Sequence, residues 1–291
     1  MNLVEHFLSQ PTLFHGGVFL AGLVVGSFLN VVIFRLPRRM QQEWRHDCCA
    51  LLNIPPPADL AGEAPGLVFP PSRCPHCGHA IAPWENIPVI SYLLLRGKCS
   101  SCRQPISKRY PLVELLTALL SLLVSLQFGV SAQTVAALLF TWSLIALSGI
   151  DLDHKLLPDD ITLPLLWLGL LVNIFMLFAG VIPALLGAMA GYLVLWIVYH
   201  VFRLLTGKEG MGYGDFKLLA ALGAWNGIQM LPLMLVLASV VGALVGGTEI
   251  LSGRQQRSQP IPFGPYLALA GWVALLWGPR ITSMYVTWAS G

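Results

Sequence analysis

Charged side chains are scarce in this sequence. Only 11% of its 291 residues are Asp, Glu, Lys or Arg, whereas 56% are hydrophobic, and the mean hydropathy is +0.71. A soluble domain usually carries about 25% charged residues, so this composition excludes one and predicts a polytopic membrane protein in a lipid bilayer. The net charge of +3 is too small to indicate a nucleic-acid partner, and we expect none.

The motifs of several common enzyme classes are also missing. The sequence has no His-Glu-x-x-His motif of a zinc protease and no evident Ser/His/Asp pattern. It also lacks the glycine-rich fingerprint of a dinucleotide-binding fold. Any hydrolytic activity would therefore have to depend on other side chains.

Long apolar runs, by contrast, are abundant. A membrane-spanning helix needs about 20 residues. Seven runs approach or exceed that length, at residues 16–34, 112–128, 132–150, 161–179, 181–202, 230–250 and 264–288. An eighth run, residues 216–225, covers only about half of the hydrocarbon thickness. We predict an all-α polytopic membrane protein with about eight transmembrane helices.

Basic residues fall on one set of turns between these runs. Ten of the 17 Lys and Arg residues lie between Arg35 and Arg109, whereas the turns at 129–133, 179–181 and 226–229 carry none. Cytoplasmic loops of membrane proteins are enriched in Lys and Arg. This distribution predicts a periplasmic amino terminus and a cytoplasmic segment at 35–110, between the first and second transmembrane helices.

The segment 35–110 contains two Cys-x-x-Cys pairs. Its many prolines argue against long helices and for an irregular loop that needs a cross-link. Two such pairs, separated by 21 residues, can complete a tetrahedral four-thiolate zinc site. The predicted zinc ligands are Cys74, Cys77, Cys99 and Cys102. A redox dithiol or paired disulfides are the alternatives, although a cytoplasmic location disfavours disulfides. A closed four-cysteine site is structural.

Two aspartates stand at the ends of apolar runs on the predicted cytoplasmic side. Asp151 directly follows the run that ends at Ile150, and Asp215 directly precedes residues 216–225. Acidic residues this close to hydrocarbon are costly and by default mark a functional site. Asp153 belongs to a polar turn, and Asp159 and Asp160 occupy a helix-capping position before the next run, so we prefer Asp151.

Glycines at positions 210, 212 and 214 flank Asp215. They allow another backbone to approach closely, as a bound substrate strand would, although a flexible loop ending in a helix cap fits the same residues. Two nearby carboxyl groups that share a proton can hydrolyse a peptide, one as base toward water and the other as acid toward the oxyanion. Asp151 and Asp215 are therefore the candidate catalytic pair of a membrane aspartyl protease.

Several of these segments together resemble a known family. Residues 212–215 read Gly-Tyr-Gly-Asp, the GxGD signature, and continue Phe-Lys-Leu-Leu-Ala to residue 220. With Asp151 seven residues before Pro158, the twin Cys-x-x-Cys loop and the string Lys-Arg-Tyr-Pro-Leu-Val-Glu at 108–114, the chain resembles a bacterial type IV prepilin peptidase from about Gly26 to Pro265. In that family the aspartates matching Asp151 and Asp215 form the catalytic pair.

The resemblance implies two activities in the bacterial inner membrane. Members cleave the basic leader from prepilins of type IV pili and pseudopilins of type II secretion on the cytoplasmic side, after a glycine. They then methylate the new amino terminus, usually phenylalanine, with S-adenosylmethionine. The resemblance associates methylation with the cytoplasmic loop, here with Gly97 and Lys98. The alternative for this pair is a turn that leads into the zinc-binding knuckle.

On this interpretation the chain has three parts. Residues 1–34 hold the first transmembrane helix, and residues 35–110 form the cytoplasmic zinc loop with the methyltransferase region. Residues 111–291 hold transmembrane helices 2–8, the aspartyl protease core.

Two other classes of function remain open from the sequence. An ion-coupled transporter could use Asp151 and Asp215 as ion ligands, although inverted repeats, which such transporters often contain, are not apparent. A noncatalytic membrane scaffold could use the zinc loop for docking. Cleavage of a prepilin peptide would separate these from the peptidase.

Overall fold

The computed structural model describes residues 10–57, 66–208, 210–252 and 262–290. It divides into two compact units, residues 1–130 and residues 131–291. Helices account for nearly all of the regular structure in the described ranges, which contain only two isolated β-bridges and no longer strand. The predicted all-α class is confirmed.

The first unit consists of two long helices and the loop between them. Helix α1 covers Pro11–Leu51, the short α2 covers Ile90–Leu94, and α3 covers Arg109–Phe128. Gly22 and Gly26 let α1 approach α3 closely: an added Cβ on either would lie 2.7 Å from a Cα of α3. This close contact of small residues is typical of membrane helices.

Helix α1 does not end with the apolar run at residue 34. It continues for 41 residues and passes through Pro37 before it ends at Leu51, close to Asn53 with its positive φ and to the Pro55–Pro57 run. The expectation of an irregular loop from residue 35 is therefore wrong for residues 35–51. At about 1.5 Å per residue the helix is about 60 Å long, twice the hydrocarbon thickness. Residues 1–9 of the predicted first transmembrane segment lie outside the described residues.

In its described residues the second unit contains six α-helices. They are α4 (Ala132–His154), α5 (Asp159–Ile174), α6 (Val181–Thr206), α7 (Tyr213–Asn226), α8 (Leu231–Leu251) and α9 (Gly264–Ser290). Helix α7 lies at the centre, buried along almost its whole length, and packs against α5, α6 and α9. Its closest neighbour is α6, because Gly187 and Gly191 bring the α6 backbone against the backbone of Gly223 and Leu219.

The run predicted at 161–179 gives a shorter helix than expected. Helix α5 ends at Ile174 because the Asn173 side chain organises a turn there. Its Oδ1 accepts hydrogen bonds from the N–H groups of Phe178 and Ala179, and its Nδ2 donates to the carbonyls of Ala224 and Trp225 at the end of α7. A buried amide with all these partners fixes the end of both helices.

Five segments of the described chain are long and apolar enough to cross a bilayer. They are α1, α3, α4, α6 and residues 228–249, which include most of α8. A multi-pass membrane protein is therefore confirmed, whereas the count of eight spans stays a prediction. Helices α5, α7 and α9 are the remaining candidates, and α7, with 14 residues, reaches only about 21 Å.

Candidate active site and metal centre

Asp151 lies in the last turn of α4, and its side chain is buried. Its Oδ2 accepts a hydrogen bond of 3.0 Å from the backbone N–H of Gly264, the first residue of α9. The first N–H groups of a helix have no partner within the helix and carry the positive end of its dipole. The start of α9 is therefore a natural partner for the Asp151 carboxylate.

Asp215 lies in the first turn of α7 and is also buried. Gly212 is the N-cap of this helix, and its backbone hydrogen-bonds the Asp215 carboxyl. A carboxyl at the third helical position often returns to the N-cap in this way. The N-cap is therefore Gly212 and not Asp215, so the alternative of a loop that ends in an aspartate cap is wrong.

Leu157 connects the surroundings of the two carboxyls. A Cβ built on Gly214 would lie 2.9 Å from the Leu157 Cβ, and one built on Gly264 would lie 3.2 Å from its Cδ2. One buried leucine therefore touches the residue before Asp215 and the residue that binds Asp151. The carboxyls are also close enough to repel one another electrostatically. Helices α4, α7 and α9 thus bring the two predicted aspartates together.

The rival carboxylates have different surroundings. Asp153 lies one turn or less from Asp151 on α4 but is exposed, as is Asp160. Asp159 forms an ion pair with Lys217 of α7, with 2.8 and 2.7 Å from Nζ to its two carboxylate oxygens. The N-cap of α5 is Pro158, so Asp159 and Asp160 occupy the first helical turn and not the capping position expected from the sequence.

Aromatic rings support the turn that carries Asp215. The rings of Tyr213 and Phe216, on either side of the aspartate, pack against the buried Tyr199 of α6, with centroids 5.4 and 5.6 Å away. Tyr192 contacts Phe216 from the same helix. These contacts fix the first turn of α7 against α6, so the carboxyl of Asp215 is held on a rigid element.

The four predicted zinc ligands form a second cluster, in the first unit. All four Sγ atoms lie within 4.8 Å of one another, and those of Cys74 and Cys102 are 3.8 Å apart. Tetrahedral zinc with Zn–S bonds of about 2.3 Å separates its sulfur ligands by about 3.8 Å. The cluster can therefore bind a metal ion of this size with little rearrangement.

Each cysteine pair lies on a knuckle of the same design. The backbone carbonyl of Cys74 accepts a hydrogen bond from the N–H of Gly78, and the carbonyl of Cys99 accepts one from the N–H of Arg103. The fourth residue after the first cysteine has a positive φ in both knuckles, +71° at Gly78 and +61° at Arg103. A non-glycine residue in this conformation costs about 1–2 kcal/mol, which the second knuckle tolerates at Arg103.

Backbone N–H groups surround the sulfurs of the first cysteine in each knuckle. Hydrogen bonds from the backbone of Cys77 and His76 lower the pKa of the Cys74 thiol to about 6. Those from Cys102 and Ser101 lower the pKa of Cys99. These backbone hydrogen bonds favour the thiolate forms of Cys74 and Cys99, and the thiolate is the form that binds a metal.

Glu85 links the two knuckles. Its carboxylate accepts from the backbone N–H of Ala82 at 2.9 Å, approaches His79 Nε2 at 3.4 Å and hydrogen-bonds the Ser100 side chain. The bonds from Ser100 and Ala82 lower the pKa of Glu85. His79 follows the first cysteine pair and Ser100 lies inside the second, so this carboxylate helps to hold the two pairs together.

Gly97 and Lys98 lie directly before the second knuckle. Gly97 has φ +67° and packs against the Tyr92 ring, so a turn requires glycine here whatever else the residue does. Lys98 is exposed and forms an isolated β-bridge with Pro105. Cys48 and Cys49 lie in the last turn of α1 and do not belong to the four-cysteine cluster.

Sequence reasoning missed Gly264 and Leu157. Both are ordinary residues whose role depends on contacts with distant parts of the chain. The only local signal is Pro265 directly after Gly264, since proline is favoured in the first turn of a helix. That signal locates the start of α9 but does not say which carboxylate its N–H groups meet.

Comparisons with known proteins agree with this arrangement. The bacterial peptidase A24 N-terminal domain matches residues 20–128, and the type IV leader peptidase family matches residues 138–247. Proteins named prepilin leader peptidase/N-methyltransferase are similar over nearly the whole chain. One from Stutzerimonas stutzeri is 58% identical over 289 residues, 99% of either chain. One from Pseudomonas aeruginosa is 55% identical with the same coverage, and one from Aeromonas hydrophila is 57% identical over 98% of either chain. No solved structure matches significantly.

Proposed function

This chain belongs to the prepilin leader peptidase/N-methyltransferase family, and we propose that Asp151 and Asp215 are its peptidase dyad. The observation that carries this assignment is the meeting of two buried carboxyls around Leu157, in a unit that the type IV leader peptidase family matches. Of the four acidic residues at 151–160, only Asp151 is buried.

The surroundings of the dyad suggest a division of roles. The N–H of Gly264 donates to Asp151 and the positive charge of Lys155 acts on it, so of the two carboxyls Asp151 is the one assigned as the ionised general base. It takes a proton from the water that attacks the scissile carbonyl. Asp215, repelled by that negative charge, keeps its proton and donates it to the developing oxyanion.

The proposed substrates are prepilins and type II secretion pseudopilins. Relatives carry the name prepilin leader peptidase, and the basic residues of this chain concentrate on the side of the bilayer where α4 ends and α7 begins. By the positive-inside rule this side is cytoplasmic, in the inner membrane of a bacterium, with the amino terminus periplasmic. A basic leader would then approach the dyad from the cytoplasm.

The four-cysteine cluster is proposed to bind one structural zinc ion. Cys74, Cys77, Cys99 and Cys102 supply four thiolates and leave no position open for a substrate. Zinc bound there would hold the two knuckles of the loop together. Glu85 supports the same geometry from outside the cluster through His79 and Ser100.

Methylation of the new amino terminus is the second proposed activity, as in the names of the relatives. S-adenosylmethionine would supply the methyl group. The exposed Lys98 beside the second knuckle is the residue proposed to contact it, together with Gly97. Because any side chain at Gly97 would be strained and would meet Tyr92, Lys98 is the more informative position to change.

The dyad is tested by Asp151→Asn and Asp215→Asn in purified enzyme with a full-length prepilin. Each loses either the base or the proton donor, so leader cleavage should fall by about 10²–10⁴-fold. The products are identified by mass spectrometry. Asp153→Asn is the matched control, because Asp153 lies on the same helix but is exposed. Near-normal cleavage by either dyad variant would refute the assignment.

A further inference from the structure

The loop between α1 and α3 exposes a group of large apolar side chains that neither proposed activity uses. Its members, the apolar patch, are Trp84, Ile87, Ile90, Leu93 and Leu94, with exposures of 71, 43, 54, 67 and 79%. They come from a 3₁₀ turn at Pro83–Asn86, from Ile87 directly after it and from α2, and the turn packs against α2. Contiguous exposed apolar surface of this kind marks an interaction with a partner or a membrane.

One hydrogen bond fixes the position of the apolar patch along the axes of α1 and α3. The backbone N–H of Val89, the residue before α2, donates to Glu114 Oε2 at 2.8 Å. Glu114 is only 7% exposed and lies against α1, where Gly26 packs on its Cα. A bond to a buried carboxyl is costly to break, so Val89 and α2 are held at the level of Glu114.

Both long helices place that level below the boundary of the hydrocarbon, on the side where α3 begins. Helix α3 has 20 residues, about the hydrocarbon thickness, and Glu114 lies five residues from its start at Arg109, about 7 Å inside. On α1, Gly26 lies nine residues before Arg35, the first charge after the apolar run, about 13 Å inside. The Glu114 side chain points back toward the start of α3, which brings its carboxyl nearer to the boundary.

We propose that the apolar patch is inserted into the bilayer interface, with lipid as its partner. Tryptophan and leucine beside basic residues are typical of interfacial segments, and exposed Arg96 and Lys98 follow α2 directly. A soluble protein partner would have to reach below the lipid headgroups to cover a surface at this level. The insertion requires that α1 and α3 cross the bilayer, but it does not depend on the catalytic role of the aspartates.

This insertion gives the four-cysteine cluster a fixed place beside the membrane. Cys99 follows Leu94 by only five residues, so the second knuckle cannot move far from the inserted helix. The cluster would then stand at the bilayer surface and not at the end of a free loop.

The test is photolabelling of the full-length zinc-loaded protein in vesicles. The vesicles contain phosphatidylethanolamine and phosphatidylglycerol with a trace of phospholipid that carries a diazirine on its acyl chain. After irradiation, adducts are located by peptide mass spectrometry. Residues 84–94 should be labelled within about threefold of the exposed Leu112 and Leu116 of α3.

Leu51 and Leu52 are the internal control. They are 82% and 68% exposed, as apolar as the patch, but α1 carries them about 24 Å beyond Arg35. Labelling of residues 84–94 should exceed theirs at least tenfold, and Leu94→Asn should reduce it whereas Leu51→Asn should not. Equal labelling of the patch and of Leu51–Leu52, while α3 is labelled, would overturn the proposal. The proposal would also be overturned if residues 84–94 acquired no lipid adducts and a bound prepilin covered the patch instead.

Discussion

Gly264→Ala should reduce leader cleavage without unfolding the protein. The Gly264 N–H donates to Asp151 Oδ2 at 3.0 Å. A methyl group added at this residue would lie 2.6 Å from the same oxygen and 3.2 Å from Leu157 Cδ2. The carboxyl, the leucine or the start of α9 must therefore move.

The size of the effect follows from these distances. Ordinary contact begins at 3.4 Å, so the separation from Oδ2 must grow by 3.4 − 2.6, or about 0.8 Å. Misplacement of a catalytic group by about 1 Å can cost about 10²-fold in rate. The overpacking itself costs about 1–3 kcal/mol, and the better helix propensity of alanine offsets up to about 1 kcal/mol of that. Cleavage should fall by about 10–100-fold, with a much smaller loss of stability.

The measurement combines kcat/KM for a prepilin with the Tm of the purified enzyme in detergent. Gly247→Ala in α8 is the matched control, because nothing lies within 4 Å of its added methyl group. It should leave cleavage unchanged. Full activity of Gly264→Ala would refute the role of the α9 start in placing Asp151. A loss of activity that merely follows the loss of folded protein would refute it as well.

Three further predictions concern the rest of the molecule. Cys74→Ser should reduce bound zinc from about one ion per chain, measured by elemental analysis, whereas Cys48→Ser should not; a zinc-free active enzyme would contradict the metal site. Lys98→Ala should slow methyl transfer to cleaved pilin more than cleavage, and a fully methylated product at the normal rate would remove Lys98 from the donor site. Lys217→Met should lower the free energy of unfolding by no more than about 1 kcal/mol, because its ion pair with Asp159 is half exposed. Exchanging the charges of residues 159 and 217 should restore this stability. If it does not, the lysine acts elsewhere.

The sequence was sufficient for the elements that depend on local composition. The apolar runs predicted the helices of the second unit to within a few residues, because each run must bury or face hydrocarbon along its whole length. The helix boundaries that failed were set by other forces. Helix α1 passes through Pro37 and continues to Leu51 because residues 38–51 contain no further proline and no glycine. Helix α5 ends early because Asn173 bonds to the end of α7.

The spacing of the cysteines likewise predicted a cluster that the fold forms. Four thiols in two short knuckles have few ways to be arranged, so the sequence alone indicates their meeting. The support that Glu85 gives to the knuckles was not predictable, because Ser100 and His79 reach it only after the loop has folded.

For the catalytic candidates, the sequence determined which residues to consider, and the tertiary structure decided how they are placed. Apolar neighbours single out Asp151 and Asp215, since an acid beside hydrocarbon is costly unless it has a function. Only the packing of α4, α7 and α9 shows that they meet around Leu157, that Gly264 binds one of them and that Asp153 points to solvent. Composition and spacing are properties of neighbours along the chain, whereas a hydrogen bond between residues 151 and 264 exists only after the intervening helices have packed.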